Sequence, residues 1–182
     1  MSDTSRLVIG VAGRIGSGKT EVARYLEQER GFQYSRYSLV LAEWCKSDPD
    51  AKARLQQVGW DVMSGEGQQE LNRRLIGQIH PTRDCVVDGL RHPLDFESLN
   101  NTFASRFFLI YIDTPPEVRF DRLRDRYKTF AEFMAADSHP VESNINSLVS
   151  LASAVLSGTL PIQRFGAEMS ALVESFRTAE AL

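Results

Sequence analysis

The sequence contains little cysteine, little histidine and little excess charge, and each shortage disfavours a class of protein. Its 182 residues include two cysteines, Cys45 and Cys85, and three scattered histidines. This spacing matches no zinc-ligand pattern and no disulfide framework, which favours a reducing, cytoplasmic setting. Because 21 Lys and Arg residues face 24 Asp and Glu residues, the net charge is −3. Nothing in the composition therefore favours nucleic acid or an anionic membrane as a partner.

Long apolar segments are also missing. FFLIYI at 107–112 is far shorter than the roughly 20 apolar residues that a membrane-spanning helix needs. The first residues, MSDTSR, contain no apolar signal region. The chain is otherwise of ordinary globular composition, with 42% apolar and 25% charged residues. We therefore expect one domain over residues 1–182, without membrane association.

Short apolar runs alternate with helical patterns along the chain. The runs predict strands at 6–12, 32–37, 85–88, 106–113 and 153–157. Helical periodicity predicts helices at 19–30, 39–46, 50–63, 68–79, 94–101, 117–128, 141–151 and 163–179. TPPE at 114–117 is typical of a helix start capped by Thr114. The alternation implies right-handed crossovers, so we predict a three-layer α/β/α fold with a five-stranded parallel sheet.

The segment GRIGSGKT at 13–20 directly follows the first predicted strand and precedes a helix. A glycine, four further residues and then Gly-Lys-Thr form the phosphate-binding loop pattern (P-loop, or Walker A) in the context that it requires. Glycines let backbone N–H groups approach phosphate oxygens, and the helix start adds unpaired amide donors. Lys19 supplies charge to the β- and γ-phosphates, and Thr20 offers a hydroxyl to Mg²⁺. The residues predicted to bind ATP here are Gly13, Arg14, Ile15, Gly16, Ser17, Gly18, Lys19 and Thr20.

Missing elements disfavour three kinds of P-loop protein. The sequence has no Asn-Lys-x-Asp segment of the GTPase type and no Leu-Ser-Gly-Gly-Gln signature of the ABC ATPases. In CVVDGLRH at 85–92, Gly89 stands where a motor-type ATPase usually has a Glu that activates water. A site without that base favours transfer of phosphate to another acceptor, which indicates a kinase.

Four segments, in this order, resemble the nucleoside-monophosphate-kinase-like branch of P-loop proteins: GRIGSGKT, VVDGLR (86–91), RFFLIYIDTPPEVRFDRLRDR (106–126) and LASAVLSGT (151–159). TFAEFMAADSHPVESNI at 129–145 is similar to a segment of small kinase-like proteins related to dephospho-CoA kinase and deoxynucleotide monophosphate kinase. The resemblance spans residues 6–160. It implies a P-loop NTPase fold with an acceptor-binding region near 38–80 and a short helical lid near 119–145.

VVDGLR is similar to the Asp-Gly-x-x-Arg strand end of adenylate kinases, with one residue fewer before the arginine. The resemblance implies that Asp88 holds Mg²⁺ together with Thr20, and that Arg91 binds the acceptor phosphate. The residues themselves also allow a structural interpretation. Asp88 can be a helix cap or turn former, and Arg91 can be an ordinary surface arginine.

Arg122 and Arg126 match the Arg-x-x-x-Arg spacing of the family's lid helix. The resemblance implies that they neutralise the transferring phosphoryl group and that Arg122 also contacts ATP. The alternative is a solvated helix face paired with the acidic residues of DRLRDR at 121–126, and we assign this role to Arg119 and Arg124. The implied catalytic residues are Lys19, Asp88, Arg122 and Arg126.

The resemblance is incomplete after the second strand. The family usually has Ser-Asp-x-x-Arg there, whereas this chain reads SLVLAEW, with Leu39 replacing the acid and Ala42 the arginine that binds the acceptor phosphate. Arg36 or Arg54 can substitute for that arginine. The predicted acceptor-binding residues are therefore Arg36, Ser38 and Arg91.

Gly158 lies in the loop LSGTLP, after the last predicted strand. Members of the family place adenine against the backbone of this loop, so the resemblance adds Gly158 to the ATP site. Four aromatic residues can line an acceptor pocket by stacking, although such side chains more often belong to the core. They are Tyr34, Tyr37, Trp44 and Trp60.

The implied function is a Mg²⁺- and ATP-dependent small-molecule kinase that acts on a nucleoside or deoxynucleoside monophosphate. A dephospho-CoA kinase-like enzyme is an alternative. Its acceptor is a hydroxyl group, which depends less on the phosphate-binding arginine that Ala42 replaces in this chain. A nucleotide-binding regulator without turnover is a third possibility. The sequence leaves the acceptor, the choice between ATP and GTP and the oligomeric state open.

Overall fold

The computed structural model describes residues 6–46, 58, 61–62 and 67–180. Its central sheet has five strands in the order β2-β3-β1-β4-β5, and every neighbouring pair is parallel. The strands are β1 (Val8–Ala12), β2 (Gln33–Arg36), β3 (Cys85–Leu90), β4 (Phe107–Asp113) and β5 (Ala154–Ser157). The predicted five-stranded parallel sheet is confirmed.

Helices follow the strands in the chain. They are α1 (Lys19–Arg30), α2 (Tyr37–Trp44), α3 (Gly67–Gly77), α4 (Pro93–Phe103), α5 (Pro116–Arg122), α6 (Phe130–Asp137), α7 (Pro140–Ser143) and α8 (Ile162–Glu180), with short 3-10 helices at Ala104–Arg106 and Asn144–Leu151. None of the helices that the structure describes is long and apolar enough to cross a bilayer.

The core lies on both faces of the sheet, because successive strand residues point to opposite sides. One face carries Val8, Val87 and Leu109, which pack against apolar residues of α2, α3, α4 and the second 3-10 helix. The other carries Ile9 and Ile110, which pack against α1 and α8. These strand residues are fully buried, and the result is the predicted α/β/α arrangement.

The segment after β4 differs from its prediction. Helix α5 ends at Arg122 rather than at 128, and the N–H of Leu123 closes it by donating to the Phe120 carbonyl. Thr114 does not cap α5, because its hydroxyl donates instead to the Ser17 carbonyl at 2.8 Å. The single helix predicted at 141–151 is α7 followed by a 3-10 helix.

Helix α6 was not predicted, although the sequence contains its start signal. Thr129 accepts the backbone N–H of Glu132, whose carboxylate accepts the N–H of Thr129 in return, forming a capping box. The predicted helix at 50–63 lies largely outside the described residues, as do Arg54 and Trp60.

The register of β1 and β3 positions the site. Val11 pairs with Asp88 and Ala12 with Leu90, so Gly89 is an extra residue in β3. Gly89 has φ 88°, which is in the region that favours glycine. The carboxyl ends of β1 and β3 therefore present the P-loop and Asp88 side by side, at the edge of a parallel sheet where ligands commonly bind.

Candidate active site

A cavity of about 1060 Å³ opens at the carboxyl ends of the strands. Its volume is slightly above the roughly 300–1,000 Å³ of ordinary small-molecule pockets. Most of the predicted site residues meet there: Ile15, Gly16, Ser17, Gly18, Lys19, Thr20, Arg36, Ser38, Asp88, Arg91, Arg122, Arg126 and Gly158 all line it.

The P-loop backbone is shaped by its glycines. Gly16 has φ 76°, and an added Cβ would lie 2.8 Å from the Leu123 side chain and 3.0 Å from the Arg119 carbonyl. Gly18 has φ 101° and precedes α1 without any side-chain cap for the first helical amides. Backbone N–H groups at the start of α1 are therefore available to an anion, together with the positive end of the helix dipole.

Lys19 is buried, with an exposed fraction of 9%. Its ammonium group donates to the Arg14 carbonyl at 3.2 Å. Burial lowers the pKa of Lys19, as does the charge of Arg91, whereas the negative charges of Glu142 and Asp88 oppose the shift. The ammonium group thus lies between two cations and two anions of the same cavity.

Asp88 is fully buried and belongs to β3, so the helix-cap interpretation is wrong. Its Oδ2 accepts hydrogen bonds from the Thr20 hydroxyl at 3.0 Å and the Tyr34 hydroxyl at 2.8 Å, and Arg36 Nε lies 3.6 Å away. Burial and the charge of Asp88 raise the pKa of Tyr34, which keeps this phenol a donor at neutral pH. Oδ1 of Asp88 has no partner within the described residues.

Thr20 and Asp88 fit a magnesium ion. Mg²⁺ prefers oxygen ligands and in phosphotransfer sites is held by one or two side chains together with substrate phosphates and water. A hydroxyl 3.0 Å from a carboxylate with a free Oδ1 supplies such a set. Among residues 6–46, 58, 61–62 and 67–180, no group of three or more His, Cys, Asp or Glu side chains forms a separate metal cluster.

Arg122 joins the P-loop to the loop after β5. Its Nη1 donates to the Ser17 carbonyl at 3.1 Å, and its Nη2 donates to the Gly158 carbonyl at 2.6 Å. Arg126 lies beyond the end of α5, with its guanidinium 5.1 Å from the centre of the Tyr127 ring. The two arginines line the same cavity, but they do not share one helix as the predicted helix at 117–128 implied, because α5 ends at Arg122.

Arg119 is not part of a solvated face, contrary to the prediction. It is 2% exposed and makes a two-point ion pair with Asp137, at 2.6 and 3.1 Å. Its Nη1 also donates to the Ile15 carbonyl at 3.2 Å. Arg124 does behave as predicted, since it is exposed and pairs with Asp121 at 2.7 Å.

Arg14 is drawn into the same network. Its guanidinium donates to Oδ1 and the carbonyl of Asp137, at 3.1 and 2.7 Å, and to Asn146 at 3.0 Å. Arg14 does not line the cavity, and its contribution to the site is its backbone carbonyl, which accepts a hydrogen bond from the Lys19 ammonium. Gly13 has φ 152° and turns the chain out of β1, without lining the cavity itself.

Glu142 was missed by the sequence analysis. It is 1% exposed and lines the cavity, and its Oε1 accepts Arg91 Nη1 at 2.5 Å. Its second oxygen, Oε2, has no partner within the described part of the chain. Arg91 is therefore no ordinary surface arginine. No local pattern marks Glu142, because its partner is 51 residues away in sequence.

A buried polar network joins α3 and α4 next to the cavity. Gln68 donates through Nε2 to Asp95, which also accepts Asn72 Nδ2 at 3.2 Å and the backbone N–H groups of Arg91 and His92 at 3.0 Å each. Burial raises the pKa of Asp95, while these hydrogen bonds oppose the shift. Gln68 is 3% exposed, and its Oε1 has no partner within the described part of the chain.

Unsatisfied polar atoms are concentrated at this cavity. In the described part of the chain, five buried side-chain atoms lack a hydrogen-bond partner, and four of them belong to residues that line it: Ser17 Oγ, Gln68 Oε1, Asp88 Oδ1 and Glu142 Oε2. Leaving such a group unpaired costs about 1–3 kcal/mol. A polar ligand that reaches these atoms removes that cost, so the cavity is suited to binding one.

Comparison with known proteins agrees with this geometry. The AAA domain family model (AAA_18) matches residues 9–136. A UPF0200 protein of Pyrobaculum aerophilum, PAE1629, is 30% identical, covering 82% of this chain and 86% of the relative. The Pyrococcus horikoshii UPF0200 protein PH1008 is 27% identical, covering 92% of this chain and 96% of the relative.

Two solved structures show the same fold. Shikimate kinase from Bacteroides thetaiotaomicron superimposes with a TM-score of 0.62 at 14% identity, covering 94% of this chain and 98% of its own. Shikimate kinase from Acinetobacter baumannii, solved in complex with shikimate, gives 0.57 at 16% identity, with coverages of 94% and 95%. The chain therefore has the P-loop kinase fold, and it belongs to the AAA domain family (AAA_18) and to the UPF0200 proteins.

Proposed function

We propose that the protein is a Mg²⁺- and ATP-dependent kinase that transfers the γ-phosphate to a nucleotide or nucleotide-like small molecule. One observation carries the proposal: the P-loop and the predicted acceptor residues Arg36, Ser38 and Arg91 line a single cavity. Donor and acceptor can therefore bind next to each other in one cavity, which is what direct phosphoryl transfer requires.

The donor end binds the triphosphate. Backbone N–H groups of the P-loop and the start of α1 surround the phosphates, and Lys19 adds a buried positive charge. Arg122, fixed between the Ser17 and Gly158 carbonyls, extends this positive surface toward the loop after β5. The backbone around Gly158 then provides the surface for the adenine.

Thr20 and Asp88 would hold the magnesium ion, which neutralises phosphate charge when bound. The chain's own residues supply the rest of the electrostatic stabilisation. Lys19, Arg122 and Arg126 place three positive groups along the cavity wall, where charge on the transferring phosphoryl oxygens is stabilised without reorganisation of water. We assign the lid function to residues 119–145, which carry Arg122, Arg126 and Glu142.

The acceptor end holds a ligand between α2 and the end of β3. Arg36 and Ser38 line it from the β2–α2 junction, and Arg91 lines it from the end of β3. Ala42, at the position of the family's acceptor arginine, is 3% exposed and belongs to the core. Arg36 and Arg91, which face Asp88 and Glu142 respectively, therefore supply positive charge at this end of the cavity.

Transfer of ³²P from labelled ATP to a panel of acceptors tests the proposal. The panel contains nucleoside and deoxynucleoside monophosphates, nucleosides and dephospho-CoA, with ATP binding measured in parallel by calorimetry in the presence of Mg²⁺. We expect product with at least one acceptor, and loss of ATP binding in Lys19→Ala. Lys128→Ala, which removes an exposed lysine, is the matched control and keeps full binding. ATP binding without transfer to any acceptor would contradict a kinase and support a regulatory nucleotide-binding protein.

A further inference from the structure

We infer that the acceptor is an alcohol whose hydroxyl group is received by Glu142, so that the product is a phosphate monoester and not a phosphoanhydride. The inference rests on the proposed kinase function and specifies its acceptor chemistry. It assigns Glu142 as the catalytic residue that takes up the proton of this hydroxyl, a role that belongs neither to the P-loop residues nor to Asp88.

Glu142 is placed to accept a proton from a ligand. Its carboxylate is 1% exposed, yet it lines the cavity that contains the P-loop. Oε1 is held by Arg91 at 2.5 Å, which fixes the orientation of the carboxylate. Oε2 has no donor among the residues that the structure describes. A carboxylate oxygen is only an acceptor when ionised, so the group that completes this site must bring a hydrogen-bond donor.

Gln68 also favours a ligand that carries a hydrogen-bond donor. Its Nε2 donates to Asp95, and Oε1 has no partner within the described part of the chain. Gln68 is 3% exposed and lines the cavity. Gln68 Oε1 and Glu142 Oε2 are thus two buried acceptor atoms without a donor among the described residues, which favours a ligand with at least two hydroxyl or N–H groups.

The charges around the acceptor end disfavour a phosphate as the attacking group. Arg91 is already paired with Glu142, and Arg36 lies 3.6 Å from the carboxylate of Asp88. A phosphate monoester brought to Arg91 would also approach the Glu142 carboxylate that pairs with it, and like charges repel strongly in a buried site. A neutral hydroxyl meets no such repulsion and pairs with the free carboxylate oxygen.

The proposed reaction transfers the γ-phosphoryl group of ATP directly to the acceptor hydroxyl. The acceptor oxygen attacks the γ-phosphorus of ATP while its proton passes to Glu142 Oε2, and a new P–O bond forms. The bond between the γ-phosphorus and the β,γ-bridging oxygen breaks, and its electron pair leaves with ADP. Glu142 then releases the proton to solvent, so that alcohol and ATP yield phosphate monoester, ADP and one proton.

The chemical nature of the product distinguishes a hydroxyl acceptor from a phosphate acceptor. The wild-type protein is incubated with Mg·ATP and, separately, nucleosides, dephospho-CoA, shikimate and nucleoside monophosphates, and products are identified by ³¹P NMR. We expect an uncoupled monoester resonance from a hydroxyl acceptor. Coupled resonances of a new phosphoanhydride would overturn the inference while leaving the kinase function intact. ATP binding with no transfer to any compound would overturn the kinase function itself.

A variant tests Glu142 directly. Glu142→Gln retains the shape of the side chain but not its ability to take up the proton, and we expect kcat to fall roughly 10²–10⁴-fold. The Kd for ATP should change far less than kcat, because Glu142 acts on the P-loop only through its charge near Lys19. Glu168→Gln, at an exposed position of α8, is the matched control and should retain full activity. Unchanged kcat in Glu142→Gln would contradict the assignment.

Discussion

Arg119 and Asp137 form a buried two-point ion pair that ties α5 to α6. The guanidinium and the carboxylate are 2% and 3% exposed, and their two contacts measure 2.6 and 3.1 Å. Because Arg119 also donates to the Ile15 carbonyl at 3.2 Å, the pair reaches the P-loop. Its integrity therefore affects both stability and the shape of the phosphate site.

Asp137→Asn is expected to destabilise the protein by about 3–5 kcal/mol, because it leaves the Arg119 charge buried without a counter-charge. Urea unfolding followed by circular dichroism measures the loss. Asp121→Asn is the control, since it breaks the exposed pair with Arg124 and should cost less than about 1 kcal/mol. Equal losses in the two variants would show that burial of the Asp137 pair contributes nothing.

The same carboxylate should make stability depend on acidic pH. Burial raises the pKa of Asp137, but hydrogen bonds from Arg119 and Arg14 outweigh it, and the net pKa lies below the ordinary value of 3.8. A lowered native pKa means that the stabilisation is complete above the unfolded value and is lost as pH falls through the native value. We expect the free energy of unfolding to fall below about pH 4, with a shallower fall in Asp137→Asn. An identical acid slope in wild type and variant would contradict this.

Arg122→Ala should weaken ATP binding roughly tenfold, which corresponds to the loss of one charge-assisted hydrogen bond. Arg122 bridges the Ser17 and Gly158 carbonyls, so its removal also loosens the contact between the P-loop and the loop after β5. Arg124→Ala changes an exposed arginine two positions away that pairs with Asp121, and should leave binding unchanged. Calorimetry with Mg·ATP compares the two. A similar effect of both substitutions would indicate only a change in net charge.

Gly158→Ala should destabilise the protein by about 1–3 kcal/mol. An added Cβ would overlap with the Thr114 hydroxyl oxygen and the Ser17 carbonyl oxygen, and the carbonyl belongs to the P-loop backbone. Gly77→Ala, at the end of α3, meets no atom within 4 Å and should be neutral or slightly stabilising. Thermal unfolding of the two variants measures the difference, and a neutral Gly158→Ala would show that this loop moves freely away from the P-loop.

The sequence predicts the three central strands of the sheet because each of them carries its own signal. The runs around Val8, Val86 and Leu109 are continuous and apolar, which is what burial on both faces requires. The P-loop is equally local, since its glycines, lysine and threonine follow one another along the chain. Signals carried by consecutive residues do not depend on tertiary contacts, so both features could be predicted from the sequence.

The partners of the charged side chains could not be predicted in this way. Arg119 was paired by proximity in sequence with the acidic residues at 121–126, whereas the fold pairs it with Asp137 across the turn after α5. Glu142 meets Arg91 over a separation of 51 residues. Such pairs depend on the tertiary arrangement of α5, α6 and α7. The spacing of charged residues along the sequence does not indicate that arrangement. The capping box at Thr129 and Glu132 was the one local signal of it.

Gly89 limits how this fold can change its chemistry. The residue bulges out of β3 immediately after Asp88, with φ 88°. A glutamate at this place, as in ATP-hydrolysing motor proteins, would put a side chain on backbone that L-amino acids rarely adopt, at a cost of about 1–3 kcal/mol. Gaining a water-activating glutamate here would therefore require a compensating change in the backbone of the strand.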